Sequence, residues 1–594
     1  MCRIAGIISA RLSPGEIGSK IKLMCTALQH GGPDDEGIFI DEDKHLGFGQ
    51  RRLSIIDLSN NGHQPMPDVE EKAWITFNGE IYNYLAIKKE LLAAGAKFRS
   101  TTDTEVIIQA YLHWGTASFK KLNGMFAFAL YDKAKNSTYL VRDTGGIKPL
   151  YYCTDKGQLS FASEVRAFKV AGLAAEQDKD WQIRFLAYGH MPEPYTTLKN
   201  VYSLPKGHFL CWDNAKATFS ASAYGNSVNQ IGIFNEAEAG EQIVKALTES
   251  VSRQLIADAP VGVFLSGGVD SSLITLLANQ QKRTNLKTIS IHFDEKTYDE
   301  SSFQKIIRDK IAGEKFDHLV KQQDFEVSFP QILHAMDMPT TDGINTWFIS
   351  KYAQQDGLKA VLSGIGADEL YGGYPSFNRV HYLKYLRSLP ASLFSLTTPL
   401  LADQYKKFEF LKYNNPAADY LFLRALFSPS SIAAILDADV KQVADVLFSG
   451  DNTPATKVYD KQYASQLEAN FYMQNQLLRD TDVMSMSHGL EVRIPFLDEL
   501  FINLTAQISP EIRFSDQPKK LLTDSFKYLL PTEIWNRPKM GFSFPLQKWM
   551  QQNQHISDEA MYQGTTTKKM IENFKNDKLH WSKCFALYQL QAYE

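Results

Sequence analysis

Cysteine is scarce. There are five, at positions 2, 25, 153, 211 and 584 of 594, with no Cys-x2-Cys pair among them. That excludes a zinc ribbon and gives no disulfide framework, so the cytoplasm is the expected compartment. A basic excess is missing too. The net charge is −4 and 22% of residues are charged, which leaves no footprint for nucleic acid. No apolar run reaches the roughly 18 residues of a membrane span. Ser392–Leu401 is among the longest and is too short. The amino terminus lacks a charged region followed by a long apolar one, so a secretory signal is not expected. Repeats and low-complexity tracts do not stand out. What remains, 44% apolar, is the composition of a water-soluble globular protein whose length asks for about two to four domains.

One more absence is informative. No Gly-Lys dipeptide occurs, so the common nucleoside-triphosphate loop, Gly-x4-Gly-Lys-Ser/Thr, is not present. A different phosphate loop is. Val261-Gly262-Val263-Phe264-Leu265 reads as a short buried strand, breaks at Gly267-Gly268, and gives way to helical spacing over Leu273–Ala278. Two adjacent glycines let backbone N–H groups converge. Ser266, Ser271 and Ser272 add hydroxyls, and the helix that follows adds the positive end of its dipole. Asp270 then faces the phosphates, an arrangement that makes sense with a divalent cation between them, so Mg²⁺ is inferred. A serine-rich turn opening an ordinary helix would account for any one feature but not their coincidence. The Ser266-Gly267-Gly268-Val269-Asp270-Ser271 run resembles the motif of the pyrophosphate-loop ATP pyrophosphatases, in which this loop holds the pyrophosphate of ATP while AMP goes to a substrate carboxylate.

Cys2 follows the initiator Met1. Removal of Met1 would leave a thiol beside an α-amino group of pKa about 8, able to take the thiol proton. Alone, Cys2 reads rather as a small buried hydrophobe. Its context reverses that. Ile4-Ala5-Gly6-Ile7-Ile8 is a buried strand that would hold the terminus rigidly. Gln50–Asp57, Trp74–Asn83 and Ser100–Glu105 each bring a strand end to a polar cluster. In such a cluster an arginine and carboxylates can bracket an amino acid, and Asn78 and Gly79 offer donors for an oxyanion. Taken singly, Arg52 or Asp103 would be a surface ion-pair residue.

Together with Gly124–Asp132, Arg142-Asp143, Ile147–Tyr152 and Ser163-Glu164, these segments resemble the glutaminase domain of class II glutamine amidotransferases. The resemblance implies an αββα sandwich of the N-terminal-nucleophile type, with Cys2 attacking the glutamine amide and Asn78 and Gly79 stabilising the oxyanion. Arg52, Leu53, Ile55, Glu80 and Asp103 complete the implied glutamine site. Three positions depart from the family pattern. The small residue after the cysteine is Arg3, His-Arg-Gly-Pro-Asp becomes His30-Gly31-Gly32-Pro33-Asp34, and an aromatic gives way to Gly145. The change at position 31 loses a cation, and all three bear on coupling between sites.

Tyr195–Phe209 is punctuated by proline and glycine, and Ser220–Gly240 is polar and irregular. The linker is therefore expected over 213–240, separating 1–212 from 241–594. Apolar residues at 243, 244, 247, 251 and 255 mark a helix leading into the phosphate-loop strand. Leu286–Phe293 and Ala360–Leu362 read as further strands, with helical spacing over Phe303–Ile311 between them. Alternating strands and helices predict an α/β, doubly wound parallel sheet with its ligands beyond the carboxyl ends of the strands. Ser363-Gly364-Ile365-Gly366-Ala367-Asp368-Glu369 follows the last of these strands, so two loops face one ATP and Asp270 pairs with Asp368 on Mg²⁺. Otherwise Asp368-Glu369 would be helix N-terminal charge. Tyr382–Asp460 reads as helical packing with no chemistry.

The second loop, Arg479–Asp482, Ser487–Asp498 and Arg537–Phe542 resemble asparagine synthetase-type enzymes, in order and, with the first half, over nearly the whole chain. The resemblance implies that Leu265, Ile291, Ser363 and Gly364 meet the nucleotide. It further implies that Ser266, Gly267, Gly268, Asp270, Ser271 and Ser272 hold pyrophosphate, and that Lys539 stabilises charge at an adenylated carboxyl. Alone, Lys539 would be a solvated lysine. Members acting on free aspartate often carry an acid where this chain has Ile365. Its surroundings look more like members associated with bacterial surface polysaccharides, thought to amidate sugar carboxylates.

The expectation is a two-site ligase: glutamine-dependent, ATP-consuming amidation of a small carboxylate through an acyl-adenylate. Aspartate is the first acceptor and a uronic acid the second. Nucleic acid and membrane are not expected as partners, and a homodimer is left open. A non-catalytic relative has Arg3, Gly31 and Gly145 in its favour. A tRNA-modifying pyrophosphatase is disfavoured by the missing basic patch and missing paired cysteines.

Overall fold

The strand that carries Cys2, β1 (Cys2–Ser9), is buried along its whole length. In the computed structural model, which describes residues 2–225, 230–281, 286–390, 393–394, 403–448 and 458–593, it lies inside a six-stranded sheet. Met1, most of the Ser392–Leu401 run and parts of the 213–240 and 382–460 segments fall outside the described residues. Beside β1 run β2 (Asp35–Asp41) and β3 (Leu46–Arg52), and on its other side β8 (Tyr151–Asp155), β9 (Gln158–Ala162) and β10 (Val201–Ser203). Their order is β10-β8-β9-β1-β3-β2, with Cys2 opposite Arg52 across an antiparallel pair.

A second six-stranded sheet is built from β4 (Met66–Pro67), β5 (Ala73–Ile81), β6 (Gly124–Asp132), β7 (Ser137–Arg142), β11 (His208–Asp213) and β12 (Thr218–Ala223). The sheets face each other across Ile4, Ile8, Phe48, Tyr131, Leu140 and Trp212. The alternate residues Ala5 and Ile7 point the other way, as the two-residue repeat of a strand requires, and meet Ile17, Ile21 and Met24 of helix Pro14–Ala27. Helices Tyr84–Ala93 and Asp103–Trp114 cover the outer face of the second sheet. The result is the αββα sandwich.

The connection between halves is narrower than 213–240. β12, exposed at every residue, pairs along its length with β11. It is the solvated edge of the second sheet rather than linker. On the far side the helix begins at Glu236, not 241, capped by Asn235, whose side chain accepts from the Glu238 N–H at 3.0 Å.

The second half contains β13 (Val261–Phe264), β14 (Lys287–His292), β15 (Glu314–Leu319), β16 (Ala360–Leu362) and β17 (Glu491–Arg493). All neighbours are parallel, in the order β15-β14-β13-β16-β17. This is a doubly wound sheet whose winding reverses between β13 and β16. Loops leaving the carboxyl ends of those two strands part from each other, which opens the crevice where ligands of such sheets bind. Behind the crevice, Lys461–Leu467, a π-helical stretch Glu468–Leu477, and helix Leu478–Met486 follow one another without a break. The largest apolar core crosses between the halves, joining Phe185 and Leu186 to Tyr420 and Ala433. Among the described residues no single helix is long and apolar enough to cross a membrane. Pro416–Arg424 and Pro429–Leu436 reach that composition only together, across a 78° bend.

Candidate functional sites

At the first site the Cys2 thiol is buried, which pushes its pKa up, and the Leu53 main chain hydrogen-bonds to it. The Cys2 N–H donates to Asn78 Oδ1 at 3.2 Å. Asn78 Nδ2 is buried without a hydrogen-bond partner. Such a donor costs on the order of 1–3 kcal/mol until something accepts from it, and an oxyanion beside Cys2 would. Gly79 has φ +152°, and a Cβ there would stand 2.1 Å from the Met125 carbonyl, so no side chain fits.

Arg52 donates to the Asp57 carbonyl at 2.5 Å and the Ser59 carbonyl at 3.0 Å, and has no carboxylate within ion-pair distance among the described residues. Its charge is left for an anion. The acids sit on the other side. Asp103 Oδ2 accepts from the Ile81 N–H at 2.9 Å, and burial pushes its pKa up to about 6. Glu80 is raised well above the usual range by burial and by Glu491, with Arg493 of β17 at 3.4 Å. An ammonium would relieve both. The Ile55 carbonyl accepts from the Asp258 and Ala259 N–H groups of the second half, at 2.9 and 3.2 Å.

The second site is a cleft of ≈ 1200 Å³ at the carboxyl ends of β13 and β16. Ser266, Gly268, Asp270 and Ser271 line it from one loop, and Ser363, Gly364 and Asp368 from the other. The loops touch at Gly364, where a Cβ would lie 2.8 Å from Asp270 Cβ and 2.9 Å from Ser271 N. Gly267, at φ +85°, offers its carbonyl to Arg537, which donates from 3.0 Å, pairs with Glu300 at 2.7 Å and stacks on Phe303. Arg537, itself part of the cleft lining, thus pins the phosphate loop. The Leu265, Ile291 and Ser272 side chains are at most 2% exposed and lie outside the cleft lining, so any contact with a nucleotide is through the main chain.

Asp270 and Asp368 do come together, on a residue the sequence did not flag. Lys519 Nζ lies 2.5 Å from Asp270 Oδ2 and also touches Asp368 Oδ1, which Lys539 reaches at 2.8 Å. Burial raises Asp270 against the pull of Lys519, whereas in Asp368 the two lysines outweigh burial and hold it at about 2. Asp270 Oδ1 is buried without a hydrogen-bond partner. Two hard oxygen donors already converging on one cation, with a lone pair to spare, fit Mg²⁺. Among the described residues no group of three or more His, Cys, Asp or Glu could hold a metal, so phosphate oxygens and water would have to complete its shell.

The far end of the cleft was missed. Arg424, inside the stretch expected to be packing alone, lies between the rings of Tyr374 and Tyr472, 4.6 and 4.1 Å from their centroids, and its Nε donates to Glu468. Burial and neighbouring carboxylates push Asp342 up to about 6 and Glu369 up to about 7. Ile365 lines the cleft as well. This cluster was hidden because helix Pro416–Arg424, Gly373-Tyr374 and the π-helical stretch come from three distant segments.

The glutamine amidotransferase domain model matches residues 1–224, and the asparagine synthase model matches residues 242–578. Similar proteins include "Asparagine synthetase [glutamine-hydrolyzing] 1" of Bacillus subtilis, 31% identical over 566 residues, covering 93% of this chain and 88% of the relative. "Asparagine synthetase [glutamine-hydrolyzing] 3" of the same organism is 27% identical over 568 residues, covering 91% and 87%. "Amidase chry2" of Gibberella zeae is 27% identical over 592 residues, covering 90% and 86%.

Proposed function

Because the chain belongs to the glutamine-hydrolysing asparagine synthetase family, whose members join a glutamine amidotransferase domain to an amide-forming one that uses ATP, we propose that it converts aspartate to asparagine, releasing glutamate, AMP and pyrophosphate. We place the working units at about 1–224 and 236–593. The observation that bears on aspartate is that Arg424, Asp342 and Glu369 all line the nucleotide cleft. A guanidinium suits an α-carboxylate, and paired acids suit an α-ammonium.

In this reading Arg52 takes the α-carboxylate of glutamine, while Asp103 and Glu80 take its α-ammonium. The Cys2 sulfur attacks the side-chain amide carbon once Met1 has been removed and the freed α-amine accepts the thiol proton. Asn78 Nδ2 and the Gly79 N–H stabilise the oxyanion. The proton returns to the departing nitrogen, ammonia leaves, and water cleaves the thioester to glutamate. In the cleft, the aspartate side-chain carboxylate attacks the α-phosphorus of ATP. Pyrophosphate departs against Ser266, Gly268 and Ser271, and ammonia then displaces AMP from the acyl-adenylate with Lys539 beside the reacting carboxyl. Asp270 and Asp368 would hold Mg²⁺, which supplies neutralising charge at the phosphates when bound.

One observation favours a second acceptor. Ile365 is apolar and cannot orient an ammonium, which suits a uronic acid. A panel of carboxylates, scored for AMP and amide with glutamine and ATP, separates the two. Cys2→Ala is expected to lower glutamate release by about a thousandfold or more and to leave ammonium-driven amidation intact. Equal glutamate release by variant and wild type removes the proposal.

A further inference from the structure

Arg3 follows the nucleophile directly, and the alternation of β1 sends its side chain out on the face opposite Cys2. There it enters a closed network of charges. Its Nε lies 2.7 Å from Glu164 Oε1 and its Nη1 lies 2.6 Å from Asp482 Oδ2. Lys148 holds the other Asp482 oxygen at 2.8 Å, while His30 and Arg166 reach Glu164 at 2.8 and 2.9 Å. No side chain among Arg3, Lys148, Glu164 and Asp482 is more than 3% exposed. Burial opposes ionisation of both acids, yet the surrounding cations hold each below the usual carboxylate range.

Asp482 belongs to the other half, on helix Leu478–Met486. Its neighbour Thr481 lines the nucleotide cleft. Asp480, on the same helix, accepts from Thr340 Oγ1 at 2.5 Å, next to Thr341 and Asp342 of the cleft wall. The path from nucleophile to cleft is therefore one residue step, one ion pair and one residue step: Cys2 to Arg3, across to Asp482, then to Thr481. Gly31 makes room for it. A Cβ at 31 would stand 2.7 Å from Arg3 Cγ and 2.8 Å from its Nε. The cation missing at 31 and the unexpected cation at 3 compete for one space, which is here filled from the strand instead of from the turn.

We propose that Arg3 is a positioning residue that keys the nucleophile strand to helix Leu478–Met486, and so sets how much of the ammonia released from glutamine ends as amide. This rests on the glutamine-dependent reading above. The support is contiguous packing between two working sites, and the claim is one of coupling, which only a coupling measurement can test.

The test is the ratio of glutamate released to AMP formed, with glutamine, ATP and aspartate, beside ammonium-driven AMP formation. Arg3→Gly is expected to raise that ratio about fivefold or more and to leave ammonium-driven activity within about twofold. Asp482→Asn, which keeps the shape and removes the charge, should do the same. Arg3→Gly with Gly31→Arg should bring the ratio back toward wild type. A second readout needs no acceptor. After alkylation of Cys2 by a diazoketone analogue of glutamine, amide exchange across 478–486 should change in wild type and not in Arg3→Gly. An unchanged ratio in Asp482→Asn, or an exchange response that survives Arg3→Gly, overturns the assignment. Wild type that releases no glutamate at all instead removes the reading it rests on.

Discussion

Asp103 carries opposite demands from folding and from binding. Burial lifts its carboxyl from 3.8 to about 6. The stability this group contributes is therefore fully present below about pH 3.8 and lost as pH rises through about 6. Binding an ammonium runs the other way, since only the ionised form pairs with it. The kcat/KM for glutamine is thus expected to fall about tenfold per unit as pH drops below about 6, because that quantity reports the free enzyme. Asp103→Asn should raise KM for glutamine and flatten the acid limb, and a profile from about pH 5 to 8 checks it. Lys519 is the other residue with a distinct consequence. Lys519→Met is expected to raise KM for ATP about tenfold or more, because two partly buried carboxylates lose the cation between them; glutamate release should not change. At this scale the sequence was legible where one short segment supplies several groups, as in Ser266–Ser271. It was not where a single side chain arrives alone from elsewhere, as Lys519 and Arg424 do. Leu265 and Ile291 turn their side chains into the core and leave main chain alone to meet a nucleotide.

The two glycine-rich loops are legible as elements because their strands, glycines and serines are contiguous, and a reversal of winding at β13 and β16 brings them together. Gly364→Ala tests that contact. A methyl 2.8 Å from Asp270 Cβ and 2.9 Å from Ser271 N must push the loops apart, a strain of about 1–3 kcal/mol. ATP-dependent steps should weaken by about tenfold or more while glutamate release persists. Chelation of Mg²⁺ should divide the activities in the same way, stopping AMP formation and leaving glutamate release. β12 was missed because, exposed at every residue, it has no buried face and carries no alternation to read. The start of helix Glu236–Gln254 was missed because its first turn is acidic and polar. The capping Asn235, followed by Glu236 and Glu238, was the available signal.

At the scale of the whole molecule the halves share one apolar core and a set of dry ion pairs, none of which sequence spacing could reveal, since Arg3 and Asp482 are 479 positions apart. Asp337 is a structural member of that border. Its carboxylate accepts from the Val165 and Arg166 N–H groups at 2.7 and 2.8 Å and pairs with Arg166 Nε at 3.3 Å. Asp337→Ala should destabilise by about 3 kcal/mol or more, read as a lower denaturant midpoint with both activities lost together. Arg3 and Gly31 were visible as two separate departures from a family pattern. Only their contact shows them to be one rearrangement.

The carbonyl of Ile55 has a last implication, for anyone wishing to recombine these modules. It receives two amides from Asp258 and Ala259, immediately upstream of the strand that launches the phosphate loop. A graft spliced between Ala223 and Asn235 would carry a foreign donor module across an intact scaffold, yet would bring a stranger's loop to those amides. Interchange should therefore succeed only when the incoming segment matches residues 53–59 in length and path, whatever the splice itself looks like.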